Sequence, residues 1–370
     1  MSKAPRMEVH ARIMLPEGVA VGNVDRSLWR ATPDEFRVAV PHAKSVSAFT
    51  SVLHDPADGI IYCGLTDRDN ELLWAYDPGS GRFTQRHFKQ VADKYDVKIH
   101  RSLVLDPDDG MLYTASACLH DQPEYLNAGG GKLFRHFPAA DQTEVLAVPV
   151  PHEYIQTICM DTKRKIIYGH CYPTPHMFAY HIVENRTVPL GLGALPHRAG
   201  CDRDGNLWGT IGHRGHLFRY NPEDGMAVSD QIPMPEFNRQ RLSMNIFYQA
   251  PDENTCYIGT GAGALLAFDP QNVAFRYIGK PLLDVRIEGL QVGSDGILYG
   301  CGGYYDSEIF AYDREADRLI NLGPIADPQL DIRCIIPHDM TMTDDDVIYT
   351  GETDMTGRST AALWECKVTW

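Results

Sequence analysis

The 370-residue sequence has no apolar run long enough to span a bilayer, which takes about 18 residues. Its first seven residues, Met1–Met7, lack the apolar core and small-residue cleavage site of a signal peptide. The nine cysteines are odd in number and include no CxxC pair, which favours reduced thiols that pack as small hydrophobes. These absences predict a cytoplasmic protein with no membrane partner.

Several chemical classes lack their sequence signature as well. Acidic residues outnumber basic ones by 49 to 34, and a net charge of −15 argues against a nucleic-acid partner, which needs a broad basic surface. A serine nucleophile elbow, a P-loop and a dinucleotide fingerprint are all absent. The Gly-rich segment Gly259–Gly263 has no helix behind it to hold a phosphate. Small acidic ligands remain compatible with this charge balance.

An internal repeat is the main feature that is present. A short apolar run with one aromatic residue, usually after an Asp- or Gly-rich turn, occurs seven times, with its aromatics 40 to 55 residues apart. Most copies are followed by a strand ending in an aromatic residue and Asp, such as Trp74–Asp77 and Phe310–Asp313. This spacing is the length of a propeller blade and suits radial packing better than an elongated solenoid. The aromatics are Tyr62, Tyr113, Tyr168, Trp208, Tyr257, Tyr299 and Tyr349.

The predicted fold class is therefore all-β, a seven-bladed β-propeller with four antiparallel strands per blade, in a single domain over residues 1–370. The last unit runs out of chain after three strands, and an N-terminal strand at residues 7–15 can complete it and close the ring. The expected blades lie approximately at 41–90, 98–149, 154–193, 195–235, 241–280, 286–324 and 331–370.

Basic side chains recur where the chain enters the predicted inner strands, the last of which is expected at residues 332–336. Six of the seven blades offer Lys, Arg or His there, and unpaired like charges repel unless an anion lies between them. The convergence predicts an anion-binding pocket at the channel mouth; the alternative is that these groups only solvate the channel. The predicted binding residues are Lys98, Arg101, Arg241 and Arg333, with His170, Tyr172, His213, Tyr304 and Arg358 from the loops of the same face.

Histidines raise a metal alternative, because neutral imidazole is a common ligand of divalent metals. The candidate ligands are His170, His176, His213 and His216. Their spacing matches no known zinc motif, so the sequence firmly implies no cofactor and leaves a divalent metal open. His338 is expected near the turn at the opposite end of the channel.

The blade pattern, with an Asp-rich turn, an aromatic-Gly strand and an aromatic-Asp-Pro strand, resembles the seven-bladed propeller lyases over nearly the whole chain. These include oligogalacturonate lyase, rhamnosyl-glucuronate lyases and streptogramin lyase. The rhamnosyl-glucuronate type is most similar, through Lys98–Val104 and Leu195–Arg198. The Gln and His cluster that holds manganese in oligogalacturonate lyase is not recognisable here. The resemblance implies β-elimination at a uronate, with a basic group on the carboxylate and a base beside it.

On this basis we expect a carbon–oxygen lyase for a uronic-acid-containing oligosaccharide or glycoside, a small acidic substrate. His100 or His197 would be the base. One or more of Arg198, Arg241 and Arg333 would stabilise the developing negative charge, and Tyr154 or a second histidine would protonate the leaving oxygen. Two alternatives stay open: a metal-dependent propeller enzyme of oxygenase or lactonase type, and a non-catalytic interaction scaffold. The oligomeric state is not indicated by the sequence.

Overall fold

The computed structural model describes residues 5–14, 46–67, 71–118, 127–212, 215–233, 236–237, 240–241, 243–282, 285–304, 306–352 and 362–370. In these ranges the regular elements are strands and two three-residue 3-10 helices, Phe88–Gln90 and Pro138–Ala140. None of the described residues forms a helix long and apolar enough to cross a membrane.

In chain order the strands are β1 (Arg6–Ile13), β2 (Val46–Asp55), β3 (Ile60–Asp67), β4 (Leu73–Asp77), β5 (Arg82–Gln85), β6 (Lys98–Asp106), β7 (Met111–Ala117), β8 (Leu133–Phe137), β9 (Gln142–Ala147), β10 (Tyr154–Asp161), β11 (Ile166–Tyr172), β12 (His176–His181), β13 (Arg186–Leu192), β14 (Leu207–Ile211), β15 (His216–Asn221), β16 (Gly225–Pro233), β17 (Glu236–Phe237), β18 (Gln240–Arg241), β19 (Met244–Gln249), β20 (Cys256–Thr260), β21 (Leu265–Asp269), β22 (Ala274–Gly279), β23 (Ile287–Val292), β24 (Leu298–Gly302), β25 (Glu308–Asp313), β26 (Arg318–Pro324), β27 (Ala326–Asp327), β28 (Ile332–Arg333), β29 (Pro337–Met342), β30 (Val347–Glu352) and β31 (Ala362–Thr369).

Most of these strands form antiparallel meanders of four. The sheets β10–β13, β19–β22 and β23–β26 follow chain order, while β2–β5 and β6–β9 are two such meanders joined at the single pair Thr66–Lys98. The sheet β14–β16 has three strands, and β17–β18 and β27–β28 are short hairpins. Short strands linked by tight turns bury little alone, so each sheet depends on its neighbours for a core.

The first and last strands of the chain lie side by side in one sheet of order β1-β31-β30-β29. The register runs without a break from Arg6 opposite Thr369 to Ile13 opposite Ala362. The main-chain N–H of Ala11 also donates to Asp327 Oδ2 at 3.0 Å. The N-terminal strand thus covers the edge that β31 would otherwise expose.

Buried layers lie between successive sheets and also between the last sheet and the first. Phe49 and Tyr76 pack with Tyr349 and Leu363, and the rings of Tyr76 and Tyr349 are 5.9 Å apart. Middle strands are buried on both faces: Cys63 belongs to this layer, whereas its neighbour Tyr62 belongs to the next. Each sheet therefore packs on the following one and the series closes on itself, which is a propeller-type arrangement.

One predicted boundary is wrong. The inner strand of the last sheet was expected at residues 332–336, but Ile332–Arg333 pairs with Ala326–Asp327 as a hairpin. The inner strand is β29, which begins at Pro337. This shift of five residues changes which side chains reach the centre of the ring.

Candidate functional site

The inner strands share an irregularity close to their starts. Their register with the next strand slips there, and polar residues are left outside the ladder: His100–Ser102 in β6, Gln156 in β10, Asn245 in β19, Glu288 in β23 and His338 in β29. All of these residues are at most 9% exposed. Bulges of this kind redirect a side chain and recur beside active sites. Because the inner strands surround the ring axis, the bulges bring these polar groups together.

Side chains at the bulges bind main-chain oxygens of neighbouring sheets. His100 Nδ1 donates to the carbonyl of Gln156 at 2.7 Å, and His338 Nδ1 donates to that of Thr50 at 3.0 Å. Asn245 Nδ2 donates to the carbonyl of Ile287 at 2.7 Å. Buried carbonyls need such partners, so these bonds both satisfy the backbone and tie the sheets together.

His338 is held as a neutral imidazole with its lone pair on Nε2. Since Nδ1 donates to a carbonyl, the proton must be on Nδ1. The residue is 3% exposed, and burial, reinforced by the charge of Arg101, lowers the pKa of His338 well below its usual value. Its ring meets that of His100 edge-on, with centroids 4.5 Å apart. Nε2 of His338 is therefore available to accept a proton.

Both ring nitrogens of His100 form hydrogen bonds with the same residue, Gln156. Nδ1 donates to its carbonyl, and Nε2 is 3.0 Å from the amide nitrogen of its side chain, which donates. Burial is the main cause that lowers the pKa of His100 well below its usual value. His100 is thus a fixed neutral group whose lone pair is already occupied.

His197 is the third imidazole of the site, and its ring centroid is 6.3 Å from that of His100. Arg286 Nη1 donates to His197 Nε2 at 2.9 Å, so the proton of the neutral ring is on Nδ1. This Nδ1 is buried and has no hydrogen-bond partner among the residues that the structure describes. Burial, followed by the charges of Arg101 and Arg286, strongly lowers the pKa of His197. His197 is consequently a neutral donor whose N–H lacks an acceptor.

Arg101, a predicted substrate-binding residue, is fully buried. It donates to Glu288 and to the carbonyl of His338, and Glu288 also accepts from Arg286. Two guanidinium groups around one carboxylate leave an excess positive charge. Arg101 also has φ 45°, a left-handed conformation that non-glycine residues rarely adopt. Within the described part of the chain, Arg101 Nη1 has no hydrogen-bond partner.

Two buried donors of the site, Arg101 Nη1 and His197 Nδ1, therefore find no acceptor in the described ranges of the chain. Leaving a buried donor unpaired costs about 1–3 kcal/mol, so an oxygen acceptor from a ligand or from water fits here. Two donors beside an excess positive charge favour an anionic oxygen, such as that of a carboxylate.

Arg198, a predicted catalytic residue, lies in an ion pair. Its Nη1 is 2.7 Å from Asp339 Oδ1 and 3.2 Å from the carbonyl of Met340, and its side chain is 26% exposed. Asp339 Oδ2 accepts the main-chain N–H of Val52 at 3.1 Å. Arg198 thus links its segment to β29 and is partly neutralised, which makes it a weaker anion ligand than a free arginine.

Other predicted residues lie around this centre. Tyr154 and Tyr172 are in ring contact at 5.1 Å, and Tyr304 is 47% exposed. The charge of Lys98 contributes to the low pKa values of all three histidines. Arg333, in contrast, lies on the hairpin strand β28 with its side chain 65% exposed and 3.3 Å from Asp306. Lys98 and the two tyrosines in contact start or end strands of the site, and Arg333 does not.

The candidate metal ligands are not assembled where the structure describes them. His170 is completely buried in β11, neither ring nitrogen has a hydrogen-bond partner among the described residues, and burial lowers its pKa to about 4. His176 is 3.7 Å from Glu153, and His216 begins β15. The described residues contain no group of three or more His, Cys, Asp or Glu that could hold a metal. His213 and Arg358 lie outside the described residues, and for Arg241 only the main chain, in β18, is described.

Sequence reasoning missed His338, Glu288, Arg286 and Gln156 as site residues, and the position predicted for His338 is wrong. The sequence did contain a signal for these positions. Several inner strands start with the same four-residue pattern: an apolar residue, a polar residue, a residue of any type and a second apolar residue. Ile287–Leu290 and Pro337–Met340 show this pattern, which aligns His338 with Glu288. Aligning the inner strands on this feature would have placed His338 at the bulge.

Comparison with known proteins identifies the fold. No protein-family profile matches the chain, and no curated protein matches it in sequence. Streptogramin B lyase is similar in structure, with a TM-score of 0.66 at 10% identity over 98% of both chains. Virginiamycin B lyase from Staphylococcus aureus has a TM-score of 0.63 at 10% identity, over 87% of this chain and 96% of that one.

A further similar structure is the extracellular domain of the hybrid two component system BT4673 from B. thetaiotaomicron. Its TM-score is 0.60 at 16% identity, over 86% of this chain. The present chain spans only 38% of the length of that domain. At such identities the similarity shows a common all-β, propeller-type fold.

Proposed function

We propose that this protein is a carbon–oxygen lyase that acts by β-elimination on a small uronic-acid-containing oligosaccharide or glycoside. One observation carries the proposal: a neutral histidine with its lone pair on Nε2, His338, shares a buried site with two donors that have no acceptor among the described residues. The rings of His338 and His197 both lie within 6.3 Å of His100. The propeller-type lyases of similar structure support the reaction class, not the substrate.

The substrate carboxylate would accept from Arg101 Nη1 and His197 Nδ1. His338 Nε2 would remove the proton from the carbon next to the carboxylate, and the electron pair would be delocalised onto the carboxylate oxygens. Preorganised donors stabilise that developing charge without reorganising during the reaction. Collapse of the electron pair forms a carbon–carbon double bond and expels the oxygen on the next carbon.

Substrate binding would also change the pKa of the base, His338. In the empty site, burial and the neighbouring cations lower the pKa of His338, which makes it a weak base. A bound carboxylate neutralises part of this charge and raises the pKa of the imidazole towards the working pH. His100 and His197, the bases expected from the sequence, have their acceptor nitrogens occupied by Gln156 and Arg286. Tyr154 keeps its predicted role as proton donor to the leaving oxygen.

The position of the site depends on how the sheets are arranged around the ring. We propose that the sheets are the blades of a seven-bladed ring, with residues 195–235 as its fourth blade. In the described structure the inner segment of that unit forms two isolated β-bridges, Arg198–Ile246 and Cys201–Leu207, in place of a continuous fourth strand.

Product analysis tests the proposal. Elimination leaves a double bond conjugated to the carboxylate and adds no water, whereas hydrolysis adds water and produces no such chromophore. Wild-type protein incubated with a panel of uronides should give unsaturated products, detected by mass and ultraviolet absorbance. Saturated products containing water would contradict the lyase assignment.

The variant His338→Asn isolates the base. The asparagine amide can still donate to Thr50, but the basic nitrogen is removed. Turnover should fall by roughly a hundredfold or more, while the melting temperature should change little. Arg333→Ala, on the exposed hairpin, is the matched control and should keep its turnover. Near-normal turnover of His338→Asn would remove His338 from the mechanism.

A further inference from the structure

Two thiols from neighbouring parts of the ring lie close together. The Sγ atoms of Cys159, in β10, and Cys201, in the segment before β14, are 3.3 Å apart. All nine cysteines lie in the described ranges and none forms a disulfide; Cys159 is 7% exposed and Cys201 is partly exposed. A disulfide has its sulfurs about 2.05 Å apart, so the pair needs to close by only about 1.2 Å. This geometry brings two thiols close to bonding distance across a sheet interface.

The two cysteines differ in how firmly the backbone holds them. Cys159 belongs to a four-stranded sheet and pairs with Tyr168. Cys201 lies in a segment whose ladder contacts in the described structure are the bridges Cys201–Leu207 and Arg198–Ile246. Because fewer main-chain bonds fix Cys201, it can approach Cys159 without breaking a continuous strand.

We propose that Cys159 and Cys201 form an oxidation site that reacts with a two-electron oxidant of the peroxide class to give a reversible disulfide. One thiolate attacks a peroxide oxygen and forms a sulfenic acid, with release of one water after proton uptake. The second thiol then displaces the sulfenic hydroxyl as another water and forms the sulfur–sulfur bond. Two thiols and one hydrogen peroxide thus give one disulfide and two waters.

The disulfide would act on the neighbouring site. Cys201 follows His197 by four residues, and Cys159 follows Gln156 by three. The main-chain N–H groups of His197 and Arg198 both donate to the carbonyl of Asn245, and Ala199 N–H donates to Thr157 Oγ1. Pulling Cys201 towards β10 therefore shifts His197 relative to the other donors, and oxidation lowers carboxylate affinity. This second part of the inference rests on the proposed function, whereas formation of the disulfide does not.

Mass spectrometry tests the oxidation site directly. The full chain is reduced, freed of reductant, treated with hydrogen peroxide, alkylated and digested. We expect a cross-linked peptide pair containing Cys159 and Cys201, two hydrogens lighter than the reduced peptides, which dithiothreitol reverses. Cys201→Ser and Cys159→Ser should each lose the cross-link. Cys118→Ser, which removes another partly exposed thiol, should keep it.

Absence of the cross-link in wild-type protein that melts normally would overturn the oxidation site, as would a cross-link that persists in Cys201→Ser. For the effect on the site, glucuronate affinity is measured by calorimetry before and after oxidation, and we expect at least a threefold loss. Unchanged affinity in fully cross-linked protein would overturn this effect. Failure of the reduced protein to bind glucuronate would instead count against the proposed function and leave the mass readout intact.

Discussion

The starts and the ends of the inner strands differ in the polar residues that they carry. At their ends an aspartate recurs: Asp55, Asp106 and Asp161 close β2, β6 and β10, and each carboxylate accepts the main-chain N–H two residues further on, at 2.9 to 3.1 Å. At their starts the bulges carry different polar residues, among them His100 and His338. A repeated turn needs the same local hydrogen bond every time, whereas a binding site needs different groups aimed at one point. The same residue therefore recurs at the strand ends, which shape the scaffold, whereas the residues differ at the strand starts, where the side chains converge.

The largest expected difference between the two ends is in the free energy of unfolding that is lost when a polar residue is replaced, and Arg101 should give the largest loss. Arg101→Met leaves Glu288 with one cation instead of two in a buried setting, and breaking a buried pair costs about 3–5 kcal/mol. Asp55→Ala removes a turn hydrogen bond at the other end and should cost about 1 kcal/mol. Urea denaturation of both variants measures the free energies of unfolding. Adding Glu288→Gln to Arg101→Met should recover part of the loss, and equal losses for the two single variants would contradict the comparison.

Acid provides the next test, because buried histidines lie near the starts of the strands. His170, opposite Thr157 in β10, has its pKa lowered to about 4 by burial. The unfolded chain takes up this proton near pH 6.5, before the folded chain does, so stability is present above pH 6.5 and is lost as the pH falls towards 4. The loss from His170 alone should be about 3 kcal/mol.

His170→Leu removes that proton site and no hydrogen bond, since neither ring nitrogen has a partner. Its unfolding free energy, followed by urea denaturation from pH 7 to pH 4.5, should fall less steeply than that of the wild type. Parallel curves for the two proteins would show that His170 is not kept neutral by the fold.

The smallest effect is expected outside both regions, at Arg333. This side chain is 65% exposed and its pair with Asp306 is open to solvent. Such pairs contribute about 0–1 kcal/mol, so Arg333→Ala should leave the melting temperature almost unchanged. Thermal denaturation measures this, and a large drop would mean that the hairpin β27–β28 has a structural role beyond its exposed ion pair.

The sequence predicted the scaffold better than the site, for a physical reason. Strands such as β3 and β24 follow from local patterns, namely a Gly-containing turn and an apolar run around Tyr62 or Tyr299. The bulges depend on pairing with the next strand, and an extra residue in a ladder has no strong local signal. His338 was misplaced for this reason, since its strand start was assigned five residues too early.

The sequence also did not show which of the predicted basic residues are neutralised by ion pairs. Basic residues were expected at the starts of the inner strands, but the sequence did not indicate which of them pair with buried carboxylates. Arg101 with Glu288 and Arg198 with Asp339 are pairs between residues far apart in sequence. These contacts decide which donors remain for a ligand, and only the folded arrangement reveals them.

Calorimetric titration of the wild-type protein with glucuronate, and with glucose as its neutral match, tests the central claim most directly. We predict that glucuronate binds, that salt weakens this binding, and that glucose does not bind measurably. In His197→Phe the affinity for glucuronate should fall about tenfold or more, because one charge-assisted hydrogen bond is lost. Equal binding of glucuronate and glucose, or full affinity in His197→Phe, would contradict a carboxylate site at the bulged starts of the inner strands.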